Sequence, residues 1–301
     1  MSQDFTTNAP QLTAAFRQQF HDSFEIEAQL SAPVLASTIH RRGSIAGSSF
    51  TINDMGALKM KKTASRFQNT ELSLPEVGTR MAPMADYDLH VLIEPRDLYK
   101  LSANPQSEYM KAMLSAKNEQ EDEIAYRAML DTVLRKQAEN SPYAPVALPN
   151  TQIILDGGTG FNKAKLIQAK KLFRKNKCDE KNGEKLYIAY TADMLGEILA
   201  DTTLTSADYL AGKMLQEGAL ASTWMGFTWI PYEEVDLDEP NTVATTVAWC
   251  GSAIHMGDGS SFGISTNVRA DKNNCIQLSL SASWGAGRAN EKKIVAIKSK
   301  Y

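Results

Sequence analysis

Apolar residues recur every fourth position near the start of the chain, at Leu12, Phe16, Phe20 and Phe24. That spacing predicts a helix over residues 11–30 with one apolar stripe. Phe16 and Phe20 on so short an element need a partner surface, either the chain's own core or another subunit. A different period follows. Residues 48–58 alternate in part, with Phe50 and Ile52 on one face. Residues 86–94 alternate more cleanly, with Tyr87, Leu89, Val91 and Ile93 against Asp86, Asp88 and His90. These read as a pair of strands. The stretch between them, 61–84, is too long for a tight turn, and loops of that length are mostly functional or disordered. A strand of about eleven residues spans roughly 36 Å. A two-stranded ribbon of that size is marginal by itself in water, so a neighbouring subunit is a good candidate to lie under it.

Asn104-Pro105 then opens a stretch with no Gly and no further Pro until Pro142. Asn104 can cap, Pro105 suits the first helical position and Glu108 favours the positive end. One helix from Pro105 to Asn140 would be about 50 Å long. Such a helix behind a ribbon suggests a flat, extended subunit that builds something larger. Pro142, Pro145 and Pro149 form the clearest break. Beyond it the pattern predicts a strand at Ile153–Leu155, a helix at Asn162–Asn176 and a strand at Leu186–Tyr190. Helices at Ala192–Ala200 and Ser206–Leu215 and a strand at Gly226–Pro231 follow, then an acidic loop at 233–239. The chain ends in strands: Val243–Ile254, a hairpin of Phe262–Arg269 with Cys275–Trp284, a Gly-rich turn at Gly285 and Gly287, and Glu291–Lys298.

The composition is that of an ordinary globular chain: 301 residues, 43% hydrophobic, 22% charged, formal net charge −3. A strongly basic nucleic-acid binder would look different, although local basic faces remain open. Cys178, Cys250 and Cys275 are odd in number and far apart, so neither a disulfide framework nor a zinc site is indicated. Folding in a reducing cytoplasm is the simplest expectation. Asp4, Phe5 and Thr6 stand where a signal peptide needs a basic start, and no apolar run is long enough to span a membrane.

Candidate chemistry is sparse. The segment ILDGGTGFNKAKL sits where a phosphate loop would, but Lys163 follows Asn162 and precedes Ala164, so the Gly-Lys-Ser/Thr ending is missing. A glycine turn with Thr159 or Asn162 capping a helix is the better reading. Lys163, Lys165, Lys170, Lys171, Arg174, Lys175 and Lys177 make that helix basic; a phosphate backbone would be a suitable partner, but a solvated helix face is the better reading. Glu119, Glu121, Asp122 and Glu123 lack the pattern of a calcium loop and read as a solvated face. His255 and Asp258 read as part of a turn. No GxSxG, HExxH or paired zinc ligands occur, so no catalytic, cofactor or metal residue is assigned.

Several stretches together resemble one family. They are AFRQQF, TRMAPMADYDLHVLIEPRDLYKL, GEKLYIAYTADMLGEILADTTLTSADY, WMGFTWIPY, ISTNVRADKNN and GAGRANEKKIVAIK, spread over residues 15–297. With the order of arm, ribbon, long helix, α/β region and terminal strands, they resemble tailed-bacteriophage major capsid proteins of the Hong Kong 97-type fold. The resemblance implies an α+β chain. Residues 1–44 would be an N-terminal arm and 45–95 an extended β-ribbon loop. Residues 96–150 and 255–301 would form a peripheral domain with the spine helix, and 151–254 an axial domain. It implies hexamers and pentamers closing into an icosahedral shell around double-stranded DNA, in a virion assembled in the bacterial cytoplasm, with portal and decoration partners. About 45 residues before the ribbon are too few for a fused scaffolding segment, so a separate scaffolding protein is expected. An encapsulin-like nanocompartment shell is the first rival, and a phosphate-binding enzyme the second.

On this reading the mechanism is assembly, without cofactor or membrane. Phe16, Phe20, Lys61, Lys62, Arg66 and Arg80 are the expected inter-subunit contacts. Reversing Arg66 and Arg80 to Glu is expected to block shells while leaving a folded subunit. Leu280→Asp is expected to give insoluble protein.

Overall fold

The computed structural model describes residues 32–62, 65–66, 69, 72–94, 106–138, 140–200, 223–238, 242–259 and 263–300. The helices expected over 11–30, with Phe16 and Phe20, and over 206–215 lie outside the described residues, as does the Asn104-Pro105 cap. In chain order the elements begin with β1 (His40–Ile45), β2 (Ser49–Met55), β3 (Val77–Pro83), β4 (Ala85–Ile93) and α1 (Gln106–Leu130). Next come β5 (Val133–Lys136), β6 (Ala144–Val146), β7 (Ile153–Ile154), α2 (Lys163–Lys175), β8 (Leu186–Tyr190) and α3 (Ala192–Ala200). Then follow β9 (Thr223–Trp224), β10 (Phe227–Pro231), β11 (Asp236–Leu237), β12 (Val243–Cys250) and β13 (Ile254–Gly259). The last are β14 (Gly263–Arg269), β15 (Cys275–Arg288) and β16 (Ile294–Lys300).

Two expectations about the helix and the ribbon change. α1 has 25 residues, about 37 Å at 1.5 Å per residue, and stops at Leu130 instead of reaching Asn140. Val133–Lys136 leaves the helix to pair with β3 on one side and β6 on the other. Burial of Val133 and the strand pairing override a locally helical pattern. The ribbon partner also differs. β2 pairs antiparallel with β3, placing Phe50 opposite Ala82 and Ile52 opposite Arg80. The clean alternation of 86–94 belongs to β4, which pairs with β15 instead. β3 escapes a hydrophobic-pattern search because its inward residues are Gly78, Arg80 and Ala82.

These elements form two compact units. The first takes the described residues of Asp86–Gln120 and Ser261–Ala282. Within it β14 and β15 form the expected antiparallel hairpin, Ile264 facing Leu280 and Val268 facing Ile276. Asn273 and Asn274, at φ 50° and 57°, make its turn, a conformation Asn tolerates better than most residues. The core of this unit is Ile93, Met113, Leu278 and Leu280, with Val91, Met110, Ile264 and Ile276 packed against it.

The second unit takes Pro33–Ala85, Glu121–Ser260 and Ser283–Tyr301. Its largest sheet runs β7-β16-β12-β8-β10-β9, with β11 on β12. Ile294 to Ile297 in β16 and Val247 to Cys250 in β12 are buried without interruption, as expected for strands covered on both faces. α2 packs on β16 and β7 and buries Leu166, Ala169 and Phe173, residues spaced to share one helix face. A smaller sheet, β2-β3-β5-β6, carries the ribbon, while β1, β13 and the C-terminal half of β15 form another layer of this unit. Gly285 and Gly287 are strand residues rather than a turn. A Cβ on Gly287 would come within 2.9 Å of the Ala82 Cβ, and one on Gly285 would strike the Pro83 carbonyl. The two glycines let β15 approach the ribbon at backbone distance.

Candidate assembly surfaces

The root of the ribbon is fixed by buried charge. Arg80 is 4% exposed. Its Nε donates to Asp54 Oδ2 at 3.0 Å, its Nη2 to Glu291 Oε2 at 3.0 Å, and its Nη1 to Glu291 Oε1. Arg135 Nε donates to the same Asp54 oxygen at 2.8 Å. Arg288, fully buried, donates to the carbonyls of Met129, Asp131 and Val146 at 3.0, 3.0 and 2.9 Å. Burial pushes the Glu291 carboxyl up, but its bonds with Arg80 and the nearby Arg288 charge hold it below the usual range. Burial alone would lower Arg80, and the Glu291 and Asp54 carboxylates raise it instead. Arg80 is thereby committed inside the subunit. The expectation that it pairs with a neighbour, and that its reversal leaves a folded chain, is corrected by this geometry.

Lys61, Lys62 and Arg66 are exposed in the loop beyond β2. Met55, at the end of β2, is 72% exposed, and the same loop exposes further apolar residues: Met60 is 102% exposed, Leu72 83% and Leu74 88%. Cations interleaved with uncovered methionines and leucines make a surface suited to a partner, since isolated apolar residues are ordinary but a run of them is not. Phe16 and Phe20 lie outside the described residues.

A second anchor holds the segment that follows residues 1–31. Asp122, 1% exposed, accepts from Val34 N at 2.7 Å and Ala36 N at 2.8 Å. Burial pushes its carboxyl up, opposed by these N–H donors. Glu121, also buried, pairs with Arg41, and Trp249 Nε1 donates to Thr38 Oγ1 at 3.2 Å. Two members of the acidic run are therefore structural, not the solvated face expected. Asp122→Ala should leave the buried Ala36 N–H unpaired at about 1–3 kcal/mol, and the partly buried Val34 N–H unpaired at a smaller cost. Its urea midpoint should fall and the Val34 and Ala36 amides should lose exchange protection; unchanged protection would remove this anchoring role.

The other candidates resolve into structure. Asn162 caps α2, its Oδ1 accepting from Lys165 N at 3.1 Å. The groups a phosphate would meet already have partners: Gly158 N donates to Asp156 at 2.9 Å, and Phe161 N donates to Glu197. Lys165 Nζ bonds the Thr159 and Gly160 carbonyls at 2.7 and 2.8 Å. His255 and Asp258 lie in β13, not in a turn. Their odd spacing puts them on opposite faces of the strand. His255 sits 4.7 Å from His40, and burial, then the charges of His40 and Arg42, bring its pKa down to about 4. Asp258 pairs with Arg41 at 3.4 Å. Among the described residues no group of His, Cys, Asp and Glu is placed to hold a metal ion. Cys178 and Cys250, distant in sequence, are neighbours here, Cys250 Sγ lying 3.6 Å from the Cys178 carbonyl, and both are free thiols.

No curated protein sequence matches the chain. Solved structures do match its fold. One from Cyanophage Pam1, a capsid asymmetric unit, superposes with TM-score 0.72 at 11% identity over 96% of this chain and 97% of that one. One from Mycobacterium phage Che8 gives 0.70 at 14% identity over 92% and 95%. The asymmetric unit of the mature capsid of bacteriophage PhiM1 gives 0.64 at 10% identity over 93% and 91%. The mixed helix-and-strand architecture is thus the α+β fold of tailed-phage capsids, the Hong Kong 97-type fold. A sequence model of phage capsid proteins matches residues 12–300, and the chain belongs to that family.

Proposed function

We infer that the protein works as the major capsid protein of a tailed bacteriophage and self-assembles into the virion shell. Membership of the capsid family along nearly the whole chain is the observation that carries this reading. Hexamers and pentamers would close into an icosahedral shell around double-stranded DNA, assembled in the host cytoplasm with portal and scaffolding proteins and, where present, a decoration protein. Residues 1–44 would act as the arm, 45–95 as the loop reaching a neighbour, 96–150 with 255–301 as the peripheral domain, and 151–254 as the axial domain. The role is structural rather than enzymatic, with contact energy spread over many weak copies. Phe16 and Phe20 on the arm and Lys61, Lys62 and Arg66 on the loop would meet neighbouring subunits.

Negative-stain electron microscopy and light scattering of the chain co-expressed with its scaffold test the reading; closed particles or capsomers support it, and a lasting monomer overturns it. Packaged DNA rather than an enzyme cargo separates a virion from a nanocompartment. Lys61→Glu, Lys62→Glu and Arg66→Glu combined should leave the fold intact. Exposed pairs are worth about 0–1 kcal/mol each. Losing three per interface at the middle of that range, about 1.5 kcal/mol, weakens association roughly tenfold. Soluble subunits with few closed shells are expected, and normal shells would remove the charge-pairing role of the loop.

A further inference from the structure

One strongly charged surface has no part in the contacts described above. α2 turns Leu166, Ala169 and Phe173 to the sheet and leaves Lys171, Arg174 and Lys175 exposed on the far side. The turn after it adds Lys177, in the left-handed conformation at φ 59°, and Lys181, both exposed. Asn176 Nδ2 donates to the Lys292 carbonyl at 3.2 Å, so the exposed Lys292 joins the same region. The nearby carboxylates are engaged elsewhere. Glu180 pairs with Lys170, and Glu184 pairs with Lys293 at 2.5 Å and accepts from Ser252. Asp179, buried, accepts from Asn182 Nδ2 at 3.0 Å, and Arg174, at 3.8 Å, is the cation it reaches among the described residues. Among the described residues, Lys171, Lys175, Lys177, Lys181 and Lys292 have no carboxylate within ion-pair distance. On a chain of net charge −3 this is a local excess of positive charge.

Basic residues in a helix's last turn relieve the helix dipole. That accounts for Arg174 and Lys175, but not for Lys171, Lys177, Lys181 or Lys292. We propose that this face of the second unit contacts the packaged DNA duplex through its phosphates, which makes it the inward face of the shell. The proposal rests on the capsid reading and adds a surface to it. The character of the patch selects the partner. Its one large exposed apolar residue is Ile167, 50% exposed, so it offers little of the apolar core on which protein interfaces depend. It carries no exposed aromatic ring on which single-stranded bases could stack. Unpatterned lysines on a convex helix suit a backbone with one negative charge per ~1.7 Å of duplex, read without sequence preference.

The test measures binding of full-length capsomers to a fluorescein-labelled 30-base-pair duplex by anisotropy, across a salt series. Lys171→Gln, Lys175→Gln and Lys177→Gln are combined in one variant. A second variant, Lys111→Gln, Lys136→Gln and Lys272→Gln, removes the same charge elsewhere. With about 0.9 counterion released per phosphate contact, the patch variant should lower the log–log salt slope by about 2–3 and weaken binding at least roughly tenfold at low salt. The second variant should change both far less, and both should still form particles in negative stain. Equal losses in the two variants, or no loss in the first, would overturn the assignment while particles stand. Poly-L-glutamate competing as well as unlabelled duplex at equal charge would assign the patch to an acidic protein and overturn it too. Failure of the unmodified chain to form particles or capsomers at all would count against the capsid reading instead.

Discussion

Arg80→Glu should give a chain that does not fold, while Arg66→Glu should give a soluble one. The two arginines stand close in sequence, but their surroundings are opposite. Arg66 is exposed, and reversing its charge alters only what a neighbour would meet. Arg80 lies between Asp54 and Glu291 with its side chain 5% exposed. A glutamate there removes the guanidinium that both carboxylates bond and places a third negative charge among them. It also leaves the Arg288 carbonyl without its Arg80 donor, 3.4 Å away in the native chain. Breaking one partner of a buried pair typically costs about 3–5 kcal/mol, and reversal adds repulsion. Against a domain stability of about 5–15 kcal/mol, that is enough to send the protein to the insoluble fraction. Arg80→Lys is the informative control. It keeps the charge but cannot reach both oxygens of Glu291 in a fork, so it should fold with a lowered urea midpoint. A soluble Arg80→Glu subunit with the native midpoint would show that the network is ornamental.

The contrast between those arginines shows what could be read from the chain and what could not. α2, β8 and α3 are found within a residue or two of their expected bounds, because each signal is local. Asn162 is a capping residue next to the helix it caps, and Leu166, Ala169 and Phe173 share one face. The β14–β15 hairpin was legible for the same reason, since alternation and an Asn turn lie within one stretch of chain. Illegible features depend on partners far away. Glu121 and Asp122 look like any acidic run on a helix. Only the amides of Val34 and Ala36, 88 and 86 residues distant, make Asp122 an anchor. β3 shows no apolar alternation, because its inward side is a glycine, an arginine and an alanine. Nothing local in the sequence stops α1 at Leu130; the partners of β5 do. The glycines of β15 read as a turn because sequence cannot show that β2 and β3 pass close by. The surfaces proposed for assembly share this limit: a lysine's identity is visible in the chain, but whether it is spent on Glu180, as Lys170 is, or left over, as Lys171 is, needs the fold.

The first unit is expected to be as intolerant of charge as the ribbon root, and Leu280→Asp tests it. Leu280 is 7% exposed and packs with Ile93, Met113 and Leu278, with Val91, Met110, Ile264 and Ile276 around them. All eight are apolar, so this cluster supplies no cation or donor to a carboxylate placed there. The group must stay charged without a partner or take up a proton, and either course costs several kcal/mol beyond the packing lost. The packing alone, read from Leu280→Ala, should cost about 2–5 kcal/mol. So small a core cannot absorb the sum, and Leu280→Asp should be recovered as aggregate. Leu280→Ala should remain soluble and report where the damage goes. Its amide exchange should quicken in Val91, Ile93, Ile276 and Leu278, while Ile294 to Ile297 in the seven-stranded sheet keep their protection, because they draw on a separate core. Uniform loss across both sets would mean that the chain unfolds as one cooperative body. A soluble Leu280→Asp chain with native protection at Leu278 would show that this face of β15 is not the core of the unit.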